Sequence, residues 1–343
     1  MRLLPPQQFA AGSRCALSTR CLLGMLATSR ADSSSPRRLL HSVSGEVTLI
    51  TFDVDGTLVK GAAGQSAEKS AHARAFSHGL SEVLGKGTKP VVPLPAEVLP
   101  AEKFHGSTDG LIALRLADAV LGIPPAEAEG KLPLIFRSMY EYCARLSDQE
   151  MIFGIDPLPG VLATLTSLAG RSDVVCGLVT GNVEGIARKK MRSVGVLATG
   201  ALAPAAVEQT WSGEDDAAFL GGFGSDFCSG DISDMARNHL DRAEQIVIAT
   251  ERARSLLGPG SRLTRVVHVG DAPADVLAAK HCADDARLGA GTVVGCVGVA
   301  TGSYSAAMLT ELCGPARPGV WEPVVLEEGL ADARFVEACG VKP

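Results

Sequence analysis

The sequence predicts an α/β protein, a three-layer, doubly wound, Rossmann-like parallel sheet with an α-helical domain inserted after its first strand. Three observations carry that prediction. Short runs rich in β-branched residues at 47–52, 174–179 and 265–269 each stop at a polar turn, as strands buried on both faces do. Helical stretches at 183–194 and 272–282 follow two of those turns, the alternation that builds a parallel sheet covered by helices. More than a hundred residues separate the first run from the second, far more than one crossover uses.

The first run, Val47 to Phe52, reads as a central strand. After it come helical segments at 66–84, 109–121 and 126–146, with a loop rich in proline and glycine at 86–100. Ile112, Leu116 and Leu121, and then Leu134, Met139 and Tyr142, recur at near-helical spacing and predict a packed insertion. The boundaries are therefore 45–60 and 155–343 for the sheet domain and 61–154 for the helical cap. A further strand-like run, 292–299, precedes Ala300, Thr301 and Gly302.

Residues 1–44 differ in kind. They hold six arginines (Arg2, Arg14, Arg20, Arg30, Arg37 and Arg38), a single acid, Asp32, and many serines, the composition of an organelle transit peptide. That predicts a mitochondrial matrix or plastid stroma, or the cytoplasm if the segment is only a tail. Without those six arginines and one aspartate, the formal charge of the remainder goes from −6 to −11. Such a body has no basic surplus for a polyanion, so nucleic acid is not expected as a partner. No apolar run reaches the roughly 18 residues of a membrane span. The nine cysteines are scattered singly, which predicts reduced thiols rather than a zinc site or disulfide scaffold.

Each strand end carries a different chemistry. Asp53 and Asp55 lie two residues apart directly after the first strand, followed by Gly56 and Thr57; in extended chain that spacing turns both carboxylates to one side. One can attack phosphorus while the other protonates the leaving oxygen and then deprotonates water. An acidic turn of purely structural use is the competing reading. Asp271 and Asp275 follow the 265–269 strand and form a second acidic cluster suited to a hard cation such as Mg2+. Asp53 and Asp271 are the expected direct ligands, the Asp55 main-chain carbonyl a third, and Asp275 a ligand or an orienter. Thr180, Gly181 and Asn182 end the middle strand ahead of a helix N-terminus, an arrangement that receives phosphate oxygens. Lys190 is the candidate cation, with Arg242 competing from a more distant helix and Lys189 expected on the surface.

Together these residues resemble the haloacid dehalogenase superfamily, over roughly 48–300. The resemblance implies that Asp53 is the nucleophile, Asp55 the acid/base, Thr180 the phosphate-binding threonine, Lys190 the family lysine and Asp271 to Asp275 the metal motif. The helical insertion sits where the superfamily carries its cap, and His105 to Asp109 is similar to the cap segment that faces substrate. Thr108, Asp109 and Arg115 are the expected substrate contacts, with helix capping or surface charge as the alternative for each. The stretches 221–226 and 298–302 resemble phosphoglycolate phosphatase-like members. Asp55 sets the chain apart from dehalogenases, phosphonate-cleaving relatives and ion pumps, which leaves phosphate esters. The expected activity is Mg2+-dependent hydrolysis of a small phosphorylated metabolite; a phosphomutase and a silent phospho-ligand-binding protein are the competing readings. Many relatives have a lysine where 221–242 has none, so the cation is open between Lys190 and Arg242.

Overall fold

A computed structural model of the chain describes residues 45–61, 70–85, 106–204 and 219–342. The arginine-rich segment at 1–44, the loop at 86–100, His105 and most of 201–218 lie outside these residues.

The elements in chain order are β1 (Gly45–Phe52), β2 (Val59–Gly61), α1 (Ala71–Leu84), α2 (Asp109–Leu121), α3 (Pro125–Glu129), α4 (Leu132–Ala144), α5 (Asp148–Met151), β3 (Ile155–Pro157), α6 (Val161–Ala169), β4 (Val174–Thr180), α7 (Glu184–Ser193), β5 (Gly221–Phe223), α8 (Asn238–Leu256), β6 (Ser261–Gly270), α9 (Pro273–Cys282), β7 (Val293–Val299), α10 (Ala306–Cys313), β8 (Trp321–Leu326) and α11 (Phe335–Ala338). Six strands form one parallel sheet in the order β5-β4-β1-β6-β7-β8. Side chains alternate across it, as the two-residue strand period requires. Val47 and Leu49 of β1 join Ile246 and Ala249 of α8 and Val276 of α9, whereas Ile50 and Phe52 join Leu165 of α6 and Ala187 and Met191 of α7. These are the three expected layers.

The sheet order places the site. β1 lies between β4 and β6, and Phe52 stands opposite both Leu178 and Val269, so the three polar turns emerge side by side at one end of the sheet. The chain goes out to one edge through β4 and β5, then returns across β1 to β6. The resulting switch point is where such sheets bind ligands.

Two strands of this sheet went unanticipated, for physical reasons, as did the short β2 and β3. β5 is only Gly221, Gly222 and Phe223, and a Cβ on Gly222 would run into the Gln245 carbonyl of α8, so close packing selects glycine over strand-forming residues. β8 contains Pro323, which an edge strand tolerates because its outer N–H pairs with nothing. The helix expected at 126–146 is two helices, α3 and α4: α3 ends at Gly130, and Pro133 sits in the first turn of α4, where its missing N–H costs nothing.

Residues 62–154 leave the sheet domain through β2 and return through β3, which pair antiparallel as a two-stranded neck. Ser70, Thr108 and Ser147 cap α1, α2 and α5 through their hydroxyls. The cap's apolar core, including Phe76, Leu80, Leu114, Ile135 and Met139, continues onto Val183 and Ile186 of α7. With the sheet on one side and α4 and α5 on the other, α7 buries even Glu184, Arg188, Lys189 and Lys190. Lys189, expected on the surface, is therefore buried and lies 3.3 Å from Asp148. The seven described cysteines are all free, and six are buried. No helix of the described residues is long and apolar enough to cross a membrane.

Phe335 of α11 stacks on Phe52 of β1 with ring centroids 6.3 Å apart and is 1% exposed. Phe335→Ala is expected to lower unfolding free energy by about 3–5 kcal/mol, measured by urea denaturation.

Candidate active site

The turn after β1 is wound tightly. The amides of Leu58 and Val59 bond the Val54 carbonyl, and Gly56 takes φ +92° while donating to Val59. Asp53 thus stays at the strand end, 6% exposed, with its amide on the Val269 carbonyl of β6. Its Oδ1 lies 2.6 Å from Nη1 of Arg242 on α8. That nitrogen also donates to the Val179 carbonyl and stands 3.5 Å from Asp275.

Asp53, Asp271 and Asp275 bring carboxylate oxygens within 4.8 Å of one another. Asp271 accepts from the Thr57 hydroxyl. Burial and repulsion from Asp275 and Asp53 push its carboxyl up to about 8. Asp53 is raised by burial and by Asp275, with Arg242 opposing. Asp275 is below its ordinary range: burial works against this, and Arg242 and His268 outweigh it. Burial works against the charge on Arg242, and Asp53 and Asp275 more than restore it.

The donor set suits a hard divalent cation. The three ligating groups are all carboxylates, and against one guanidinium they leave two formal negative charges when ionised, those of one divalent ion. Two glycines shape this space. A Cβ on Gly56 or on Gly302 would overlap the Asp271 carboxylate. Gly302 belongs to the turn after β7, which Thr301 fastens to the Gly56 carbonyl at 2.6 Å. Asp53, Asp271 and Asp275 would hold the cation. The Asp55 side chain lies outside their group.

The Asp55 side chain is instead 51% exposed and paired with Lys190, whose Nζ is 2.8 Å from both its oxygens. Lys190 also donates to Asn182 Oδ1 at 2.8 Å, and Asn182 Nδ2 donates to Asp55 at 3.0 Å. Desolvation by its surroundings raises the Asp55 pKa, but Lys190, His72 and Asn182 more than offset this and hold it below the usual carboxylate range. The two cations thus serve different aspartates: Arg242 meets Asp53, and Lys190 meets Asp55. Neither the spacing nor the resemblance separated them. Thr180 is buried at the end of β4, its hydroxyl 3.4 Å from the Asn182 amide.

Of the three cap residues expected to touch substrate, Asp109 and Arg115 bond across to the sheet domain and Thr108 caps its own helix. Thr108 caps α2 by accepting from Leu111 N. Asp109 donates its amide to the Gly181 carbonyl and accepts from Val183 N at 2.8 Å and His72 at 2.9 Å. Arg115 donates to Ser107 at 2.9 Å and to Asn238 of α8 at 3.0 Å. A Cβ on Gly181 would strike the Ser107 carbonyl, and one on Gly106 would strike Ala274, so 106–109 lies directly on the turns after β4 and β6. Gly302 joins the site from the 298–302 stretch, whereas His72, Asn238 and His268 join the site or its border without having been singled out. Of these three only His268 left a trace in the sequence, as a polar residue alternating with valines in an apolar strand.

Comparison with protein families matches residues 47–282 to the haloacid dehalogenase-like hydrolases. The chain belongs to that family. Comparison with curated proteins finds no match. Among solved structures it is similar to a haloacid dehalogenase-like family hydrolase from Streptococcus pneumoniae, at 17% identity over 82% of this chain and 95% of that one, TM-score 0.41. A protein assigned as a phosphoglycolate phosphatase from Lactobacillus delbrueckii subsp. bulgaricus shares 15% identity over 83% and 95%, TM-score 0.38. An archaeal β-phosphoglucomutase from a Pyrococcus species shares 14% over 78% and 99%, TM-score 0.30.

Gly302 does not have a positive φ, so Gly302→Ala strains no backbone and acts through the added methyl against Asp271. Hydrolytic turnover is expected to fall about 100-fold with the circular dichroism spectrum unchanged.

Proposed function

We propose that this hydrolase is a Mg2+-dependent phosphatase that cleaves a small phosphate monoester through an aspartyl phosphate on Asp53. The observation that supports it most is the separation of roles at the strand ends. Asp53 is buried against Arg242 and the two further carboxylates, while Asp55 stands beside it on its own cation and exposed to solvent. A site that only bound a phosphorylated ligand would gain nothing from burying a carboxylate where the phosphate must sit, since like charges repel.

Asp53 attacks phosphorus in line, forming an Asp53 O–P bond as the bond to the leaving oxygen breaks. Asp55, which must first take up a proton against the pull of Lys190, gives it to that oxygen and is left ionised. Asp55 then takes a proton from water, whose oxygen attacks the same phosphorus and frees Asp53 and inorganic phosphate. Lys190 and Asn182 hold Asp55 in the ionised form that receives the water's proton. Arg242 offsets the charge of Asp53 and of the transferring oxygens. Thr180 and the amides of the β4 turn border the same space. When bound, Mg2+ supplies the charge that lets anionic phosphate approach an anionic nucleophile. The cap, seated through 106–109, excludes bulk water. The arginine-rich composition of residues 1–44 supports delivery to a mitochondrial matrix or plastid stroma.

Phosphate release from a panel of phosphorylated small molecules, with and without Mg2+, tests the reading. Asp53→Asn is expected to abolish release; equal release by wild type and variant would sink the nucleophile assignment. Turnover without inorganic phosphate would mark a mutase. Arg242→Ala should lower turnover by about 100-fold or more, with Lys190→Ala changing the pH profile through Asp55.

The Mg2+ effect on stability should depend on pH. Without metal, folded Asp271 keeps its proton to about 8, whereas an unfolded aspartate loses it near pH 4. Its contribution to the metal-free fold is therefore lost as pH rises through that window. Bound Mg2+ requires the ionised form, so the rise in Tm produced by Mg2+ should be larger at pH 8 than at pH 6, read by differential scanning fluorimetry.

A further inference from the structure

Valines 267 and 269 of β6 face the α6/α7 layer, and Val266 faces α8 and α9. Strand alternation sends His268 to the α8/α9 side as well, where it is fully buried. There its Nε2 lies 3.1 Å from Asp275 Oδ1, and its Nδ1 lies 3.0 Å from the hydroxyl of Thr51, the residue paired with it on β1. A metal-ligating carboxylate only accepts hydrogen bonds, so Nε2 carries the hydrogen toward Asp275. The Thr51 hydroxyl donates to the Val267 carbonyl at 3.3 Å while lying against Nδ1 at 3.0 Å, so it holds the far side of the ring in place. Asp275 Oδ2 meanwhile accepts from the Ala272 amide at 3.1 Å. Each oxygen of Asp275 therefore has one fixed donor, and its carboxylate plane is locked.

We infer that Thr51 and His268 are positioning residues that fix the rotation of Asp275 toward Asp53 and Asp271, and through it set the affinity of the site for its divalent cation. The inference rests on the cation site proposed above. Partners beyond the ligands commonly orient them in this way, and losing such a partner commonly weakens metal binding 10–100-fold. A histidine serving only as packing would be replaceable by an apolar residue of similar size. One serving as a donor would be replaceable by glutamine, whose Nε2 reaches the same place.

The test is calorimetric titration with Mg2+ of the wild-type chain, His268→Leu, His268→Gln and Thr51→Val, each checked for folding by circular dichroism. His268→Leu is expected to raise the Mg2+ dissociation constant about 10–100-fold. His268→Gln should recover most of that loss, and Thr51→Val should weaken binding in the same direction as His268→Leu. Wild-type affinity in His268→Leu, or a His268→Gln protein as weak as it, would overturn the inference. If His268→Leu does not fold, Thr51→Val decides, and wild-type affinity there overturns it. A wild-type chain that takes up no Mg2+ would remove the cation site itself, and this inference with it.

Discussion

Three carboxylates packed within a few ångströms in a buried turn repel one another, and most of the site is organised by how that repulsion is offset. Arg242 stands against Asp53 and Asp275 at 2.6 and 3.5 Å and offsets one charge of three. The remainder shows in Asp271, whose carboxyl is pushed up to about 8, and in the suitability of the site for a divalent ion. Burial that would be costly for an unpaired charge is sustained because each carboxylate also has a hydrogen-bond donor: Arg242 for Asp53, Thr57 for Asp271, and His268 with Ala272 for Asp275.

The sheet supplies the framework on which this balance depends. Asp53 and Asp271 come from neighbouring parallel strands, β1 and β6, whose ends are level, so their separation is set by strand spacing and pairing rather than by loops. Small residues then let other segments close in. Gly56 and Gly302 bring the turns after β1 and β7 against Asp271, and Gly181 brings the cap against the end of β4.

Much of this was legible in the sequence where the signal was local. The strands β1, β4, β6 and β7 announced themselves as apolar runs, and their polar ends announced Asp53, Asp55, Thr180, Asp271 and Asp275. Pairings over long sequence separations left no such trace. Arg242 reaches Asp53 across 189 positions, and Lys190 turns to Asp55 rather than Asp53 because α7 runs beside the Asp55 turn. β5 was hidden because its glycines answer to α8 and not to strand propensity. Lys189 was misjudged because burial of α7 is imposed by the cap, which no window of α7 reveals.

Asn238 and Arg242 are four residues apart, one turn of the same helix. The first is held by Arg115 of the cap, and the second holds Asp53. The rigid rod of α8 thus carries the cap's docking point and the counter-charge of Asp53 on adjacent turns. Any movement of the cap that broke the Arg115 bond would therefore act on the same end of α8 that aligns the guanidinium.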